Sequence, residues 1–295
     1  MYSEGQVTVT NCIFARCMTG MNDIMRSLEA SATSGGAALR ALGGAIQARG
    51  TEAALRSTGS SFFSCAARGG RYANYGGAIF AAAMVRIDTT RFDSNYVQGG
   101  TEKAAAGALH LEVDRFELTE SEFISNQAIE SAEANGGAIR LKNCEDSSLI
   151  NDRLPDFCTL AAGECGYQMR AVTFRGNAAI GGTSRCKGGA IAMSNNGVCV
   201  NVTDSLFERN SAEVTGGNAE GGAIQVGDSV LLKVATTRFV GNIAKGANDQ
   251  VRSQPPPIHG ALHSSLAKLL SIFQGRSFKH CEKCKCRSAQ RRRVR

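Results

Sequence analysis

The chain has 295 residues, with 34 glycines, 4 prolines, no tryptophan and 43% apolar residues, a composition suited to tight backbone corners and small side chains rather than to a bulky globular core. Its net charge of +7 sits at one end: Arg276–Arg295 carries nine basic residues against Glu282, leaving 24 basic and 25 acidic residues, −1, elsewhere. A body so nearly neutral has no electrostatic reason to bind nucleic acid, and no stretch approaches the roughly 18 consecutive apolar residues of a membrane-crossing helix.

The chain opens inside a pattern. Val7 and Val9 alternate with polar neighbours, and Phe14 and Cys17 follow. Spacing by two puts both valines on one face of a short strand. Met1–Thr10 is polar and alternating and lacks the charged-then-apolar order of a secretory leader. With no cap before this half-finished unit, the chain is expected to be a fragment of a longer protein or to have a misplaced start. Residues 18–41 read as a Met-, Ser- and Ala-rich insertion, in which 22–32 has the makings of a short helix capped by Asp23.

From here two motifs alternate. Gly-Gly-Ala-Ile occupies 43–46, 76–79, 136–139, 188–191 and 221–224, with Ala106-Gly107-Ala108-Leu109 a variant and Gly35–Ala38 a poorer echo. Phe-x-x-Asn occurs at Phe92/Asn95, Phe123/Asn126, Phe174/Asn177, Phe207/Asn210 and Phe239/Asn242; Phe14/Cys17 and Phe62/Cys65 put Cys in the Asn place. Successive copies mostly lie 30 to 33 residues apart. Seven and five places before the Phe stand apolar pairs: Val85 and Ile87, Phe116 and Leu118, Val200 and Val202, Leu232 and Val234. After each Gly-Gly-Ala the chain alternates again, as in Leu109-His110-Leu111 and Ile139-Arg140-Leu141, and the middle residue is expected to face outward and vary freely.

Each repeat is therefore two or three short strands joined by Gly and Asn corners, too small to bury its apolar face alone. Stacking in parallel register solves this, with Phe over Phe, Ile over Ile, and each Asn amide reaching the adjacent coil. The fold class that follows is all-β, a right-handed parallel β-helix of about seven to eight coils, roughly 35–40 Å long at ~4.8 Å per coil. The hand follows from strand twist and the handedness of parallel crossovers. Gly, and Asn itself, are expected to take the left-handed corner conformation. The dense Leu ladder of leucine-rich repeats and the 3.6-residue spacing of helical repeats are both absent.

The paired motifs, over residues 7 to about 245, resemble the repeats of the polymorphic outer membrane proteins, β-helices of the pectin-lyase-like superfamily. That resemblance implies passenger β-helices carried to a cell surface, where they act in adhesion. The family's leader and C-terminal membrane barrel have no counterpart here, so the fold carries over better than the role.

Residues 143–166 form the second insertion, with Cys144, Cys158 and Cys165; Cys186 and Cys199 lie nearby, and these five are enough for two disulfides of undetermined pairing. Loops leaving a rigid scaffold concentrate binding, and a tolerated surface insertion is the alternative. Cys12, Cys17 and Cys65 stand at repeat positions filled elsewhere by small or polar residues and read as buried free thiols. Asn201-Val202-Thr203 is a glycosylation sequon. The repeat domain spans 1–248. Residues 249–257 are a Pro-rich break, and 258–273 place Leu262, Leu266, Leu269 and Leu270 on one side of an amphipathic helix fit to cap the open cylinder. Residues 274–295 are a Cys- and Arg-rich tail, read as disordered, in which His280, Cys281, Cys284 and Cys286 are weak metal candidates because zinc prefers two separated ligand pairs.

Enzymes of the same superfamily define the alternative, a polysaccharide lyase or glycoside hydrolase. Hydrolysis needs carboxylates converging across coils, and lyases need an acidic Ca²⁺ set with a basic residue. Asp88, Asp114, Asp204 and Asp228 fall at different offsets from their motifs, and Glu117, Glu120 and Glu122 alternate as solvent-facing strand residues do. No catalytic residue or cofactor is assigned. The expectation is a non-catalytic surface or secreted scaffold that binds a glycan or a protein.

Overall fold

The structure, a computed structural model, describes residues 1–3, 5–19, 40–69, 73–99, 102–113, 115–130, 132–142, 166–194, 199–227 and 230–247. They form an all-β parallel solenoid. One circuit runs through Lys103–Ala105, Leu109–Glu112, Phe116–Thr119, Glu122–Ile124 and Gln127–Glu130 before the next begins at Glu133. Each strand pairs in parallel with its equivalents one coil away. Four faces result. The first has twelve strands and holds two columns, the strands after Gly-Gly-Ala and those before the Phe; the second and third have seven each, and the fourth has six.

Three expectations are corrected here. A coil has five strand segments rather than two or three, because strands of three residues are too short to show alternation. Among the described residues the fourth face has six strands and six circuits close, fewer than the seven to eight expected. The first insertion is also narrower than 18–41. Met18–Thr19 pairs with Ala66–Ala67, and Arg40–Leu42 pairs with Ala73–Tyr75. Helices at 22–32 and 258–273, the 249–257 break and the 274–295 tail lie outside the described residues. No helix among the described residues is long and apolar enough to cross a membrane.

The expected columns are present. Phe14, Phe62, Phe92, Phe123, Phe174, Phe207 and Phe239 form one unbroken stack, with ring centroids 4.7–4.9 Å apart and planes within 14°. Offset stacks of this kind add to the area that each ring buries. Beside them Asn95, Asn126, Asn177, Asn210 and Asn242 form a ladder. Asn95 Nδ2 donates to Asn126 Oδ1 at 3.0 Å and to the Phe62 carbonyl at 3.0 Å, and its own N–H donates to Asn126 Oδ1 at 3.1 Å. The same three bonds recur at each later step. Corners that would strand backbone groups in the interior are thus satisfied by side chains.

The left-handed corner residue is not the Asn but the residue before it: Ser94 at φ 55°, Ser125 at 53° and Arg209 at 52°. The Asn must keep an ordinary backbone so that its amide points along the axis. The two glycines of Gly-Gly-Ala also differ. The first is left-handed, and Ala106 fills its place at φ 66°. The second has no room for a Cβ: one built on Gly137 would lie 2.1 Å from the Gly189 carbonyl oxygen of the next coil.

Inside, the Ile and Val columns join the Phe stack in one large core, while the third and fourth faces meet through alanines such as Ala67, Ala104, Ala128 and Ala134.

Candidate functional site: a polar face and a charged corner

The strands before the Phe present their odd-facing residues outward in register. Thr8, Arg56, Arg86, Glu117, Gln168, Asn201 and Lys233 make one row along the axis. Thr10, Thr58, Asp88, Thr119, Arg170 and Thr203 make a second row beside it. Neighbours within the rows bond across coils. Arg86 Nε is 3.3 Å from Glu117 Oε2, Asn201 Nδ2 donates to Gln168 Oε1 at 3.0 Å, and the Thr119 hydroxyl donates to Asp88. These two rows are polar, with Met84 and Leu231 exposed beside them, and they are carried on strands whose reverse face is the packed core.

The other concentration of chemistry lies where the fourth face turns into the first. The Gly-Gly-Ala corner folds the two faces towards each other, so that Tyr75 and Lys103 with Glu133 approach the row Phe80, His110, Arg140. The His110 ring lies parallel to Phe80 at 5.3 Å, and Tyr75 meets it at 4.6 Å. Its Nε2 is 3.4 Å from Glu112 Oε1, which also lies 3.7 Å from Lys142 Nζ; Lys103 Nζ is 3.4 Å from Glu133 Oε2. Phe80, His110 and Arg140 face away from the core as expected, but they are buried, not solvated and free to vary. Aromatic and long side chains of two converging faces cover one another.

Burial decides the electrostatics of this corner. It pushes the His110 pKa down to about 4, outweighing the pull of Glu112, so the ring is neutral near pH 7. Burial, then the Arg140 charge, brings Lys103 down to about 8. At Glu133 burial acts upward, but Lys103, Asn135, Lys187 and Arg140 together outweigh it and hold the carboxyl below its usual range. A general acid for glycoside cleavage needs the reverse, a carboxyl held protonated near neutrality.

The Phe and Asn residues singled out in the sequence are therefore architectural. Asn201 stands mid-strand within the first polar row. Asp88 is in the second row, Glu117, Glu120 and Glu122 face solvent, and Glu122 pairs with Arg91 at 3.1 Å. Cys199 is disulfide-bonded, whereas Cys186 is free and buried, its thiol 2.9 Å from the Glu213 carbonyl, so it is not part of a disulfide set. His280, Cys281, Cys284 and Cys286 lie outside the described residues, as does the insertion from residue 143 to 165, which departs directly after the strand carrying Arg140 and Lys142. Among known proteins, no family model, no curated protein and no solved structure matches the chain.

Proposed function

We propose that the protein is a non-catalytic binding scaffold, displayed at a cell surface or secreted, that holds a glycan along the polar first face. The observation that carries this reading is the continuous row Arg56, Arg86, Glu117, Gln168, Asn201 and Lys233, one hydrogen-bonding or charged side chain per coil on a rigid backing. A polymer laid along such a row meets the same chemistry at each step and gains affinity by repetition. Arg56, Arg86 and Lys233 outnumber Glu117 in that row, which favours carboxylated sugars over neutral ones. The Cys199 disulfide supports an oxidising location. The adhesive role implied by the repeat resemblance fits the same picture, and the ionised Glu133 and neutral His110 speak for holding rather than cleaving.

The test is binding of the full chain to neutral and uronic-acid polysaccharides, with and without Ca²⁺, alongside an Arg56→Ala/Arg86→Ala/Lys233→Ala variant. Binding of uronic chains that falls about tenfold or more in the variant, at unchanged melting temperature and with no new reducing or unsaturated ends, is expected. Polysaccharide cleavage would restore the lyase or hydrolase alternative. Binding indifferent to the row would remove the first face from the mechanism.

A further inference from the structure

The Asn ladder ends before the cylinder does. At its N-terminal end the two ladder places hold Cys17 and Cys65. Register fixes their relation: Ala15 pairs with Phe63 and Met18 with Ala66, so the cysteines between them occupy the same place on successive coils. Adjacent parallel strands stand ~4.8 Å apart, inside the about 4.4–6.8 Å Cα separation that a disulfide spans. Both thiols are free. Cys65 takes over part of the Asn role, its thiol 3.5 Å from the Phe14 carbonyl, where Asn95 places an amide against Phe62 at 3.0 Å. A thiol makes this bond more weakly than an amide, so the opening coil has the weakest link in the column.

We propose that Cys17 and Cys65 are an oxidisable pair that closes, on exposure to a small-molecule disulfide, into a bond stapling the opening coil to the second. Of the three thiols expected to be buried only Cys65 is; Cys12 is exposed and Cys17 partly so, at the open edge of the opening coil, and the difference between Cys17 and Cys65 sets the order of events. The Cys17 thiolate attacks the disulfide RSSR and forms a mixed disulfide, releasing one RS⁻ that takes up the Cys17 proton as RSH. Cys65 then gives up its proton and attacks the Cys17 sulfur, and the second RSH leaves. Two protein thiols are oxidised by two electrons, and one RSSR is reduced to two RSH. Burial pushes the Cys65 thiol up to about 12, which protects it from direct attack by bulky reagents and leaves Cys17 as the point of entry. Cys186, also buried and free, has no thiol opposite it: its register partners are Ala134 and Ala219. The pair is independent of what the first face binds.

The experiment incubates the full chain in glutathione buffers of rising oxidised fraction, traps free thiols with an alkylating agent in acid, and maps the peptides. A Cys17–Cys65 linked peptide, two hydrogens lighter than its reduced parts, is expected, with amide exchange over Gln6–Thr10 slowing by roughly an order of magnitude or more. Cys65→Ser should leave Cys17 as a stable glutathione adduct. Cys17→Asn/Cys65→Asn extends the amide ladder, keeps the fold and should abolish the dependence of that exchange on redox buffer. Both thiols remaining free where exposed Cys12 is already glutathionylated would overturn the proposal, as would a Cys12–Cys17 link.

Discussion

Asn126 and Asn177 are 51 positions apart, yet Asn126 Nδ2 donates to Asn177 Oδ1 at 2.9 Å and the Asn126 N–H donates to the same oxygen at 3.0 Å. A break of more than twenty residues lies between them, and the ladder crosses it without a change of geometry. The column is thus set by coil stacking, not by chain length between steps. Replacing Asn126 by Ala strips the acceptor from the Asn95 N–H and amide and the donor from the Phe92 carbonyl, all buried. Unsatisfied groups of this kind cost about 1–3 kcal/mol each, and partial relaxation makes a loss of about 3 kcal/mol the expectation for Asn126→Ala. Asn242→Ala, at the last, half-exposed step, should cost about 1 kcal/mol. Denaturant unfolding of both variants measures the contrast, and equal losses would mean the ladder is not cooperative.

The Phe stack makes a parallel prediction. Phe123 is fully buried between Phe92 at 4.7 Å and Phe174 at 4.9 Å. Truncation to Ala removes two stacked neighbours and leaves a ring-sized cavity, for an expected loss of about 3–5 kcal/mol. Phe239 ends the stack with one neighbour and partial exposure, and its truncation should cost about half as much. Thermal or chemical denaturation of each variant gives the comparison.

These two columns were legible because one residue type recurs at one period. A third column was not. Ser60, Thr90, Ser121 and Ser205 stand two places before their Phe and bond across coils, as where the Thr90 N–H meets Ser121 Oγ at 3.0 Å. Serine and threonine interchange there, and Cys12 and Val172 interrupt them, so no repeated letter marks the column. The charged corner was hidden for another reason. Phe80, His110 and Arg140 were legible as facing away from the core, but their burial depends on the fourth face, whose strands Lys103–Ala105 and Glu133–Asn135 are too short to carry a period. The available signal was size: three large side chains at one outward place, with Glu112 and Lys142 two residues further on.

The Gly-Gly-Ala motif predicts two different glycine phenotypes. Gly136→Ala puts a methyl at a left-handed residue, φ 66°, and against the Ile139 carbonyl oxygen of its own corner, a placement that Ala106 already accommodates in the previous coil at φ 66°. A cost of about 1–2 kcal/mol with retained fold is expected. Gly137→Ala drives its Cβ against the Gly189 carbonyl and the Ala178 backbone, neither of which can yield without parting the coils. That variant should lose cooperative unfolding or fail to accumulate as folded protein. Circular dichroism melts of the two variants side by side decide it, and a Gly137→Ala protein as stable as Gly136→Ala would contradict the close approach.

His110 makes the stability of the charged corner depend on pH, with a definite sign. Its folded pKa, about 4, lies below the ordinary 6.5, because burial among Phe80, Tyr75 and the charges of Arg140 and Lys142 outweighs Glu112. Between these values the unfolded chain binds a proton that the folded chain does not. Stability is therefore whole above about pH 6.5 and falls as pH drops towards 4, by about 3 kcal/mol for this one ring. Glu133, held below its usual range, loses its own contribution at more acid pH and is present in any His110 variant. In His110→Gln the component between pH 6.5 and 4 should vanish while the lower one remains. Urea midpoints of both proteins at half-unit pH steps measure the difference, and superimposable curves would show that His110 titrates as it does in water and that the corner is open to solvent.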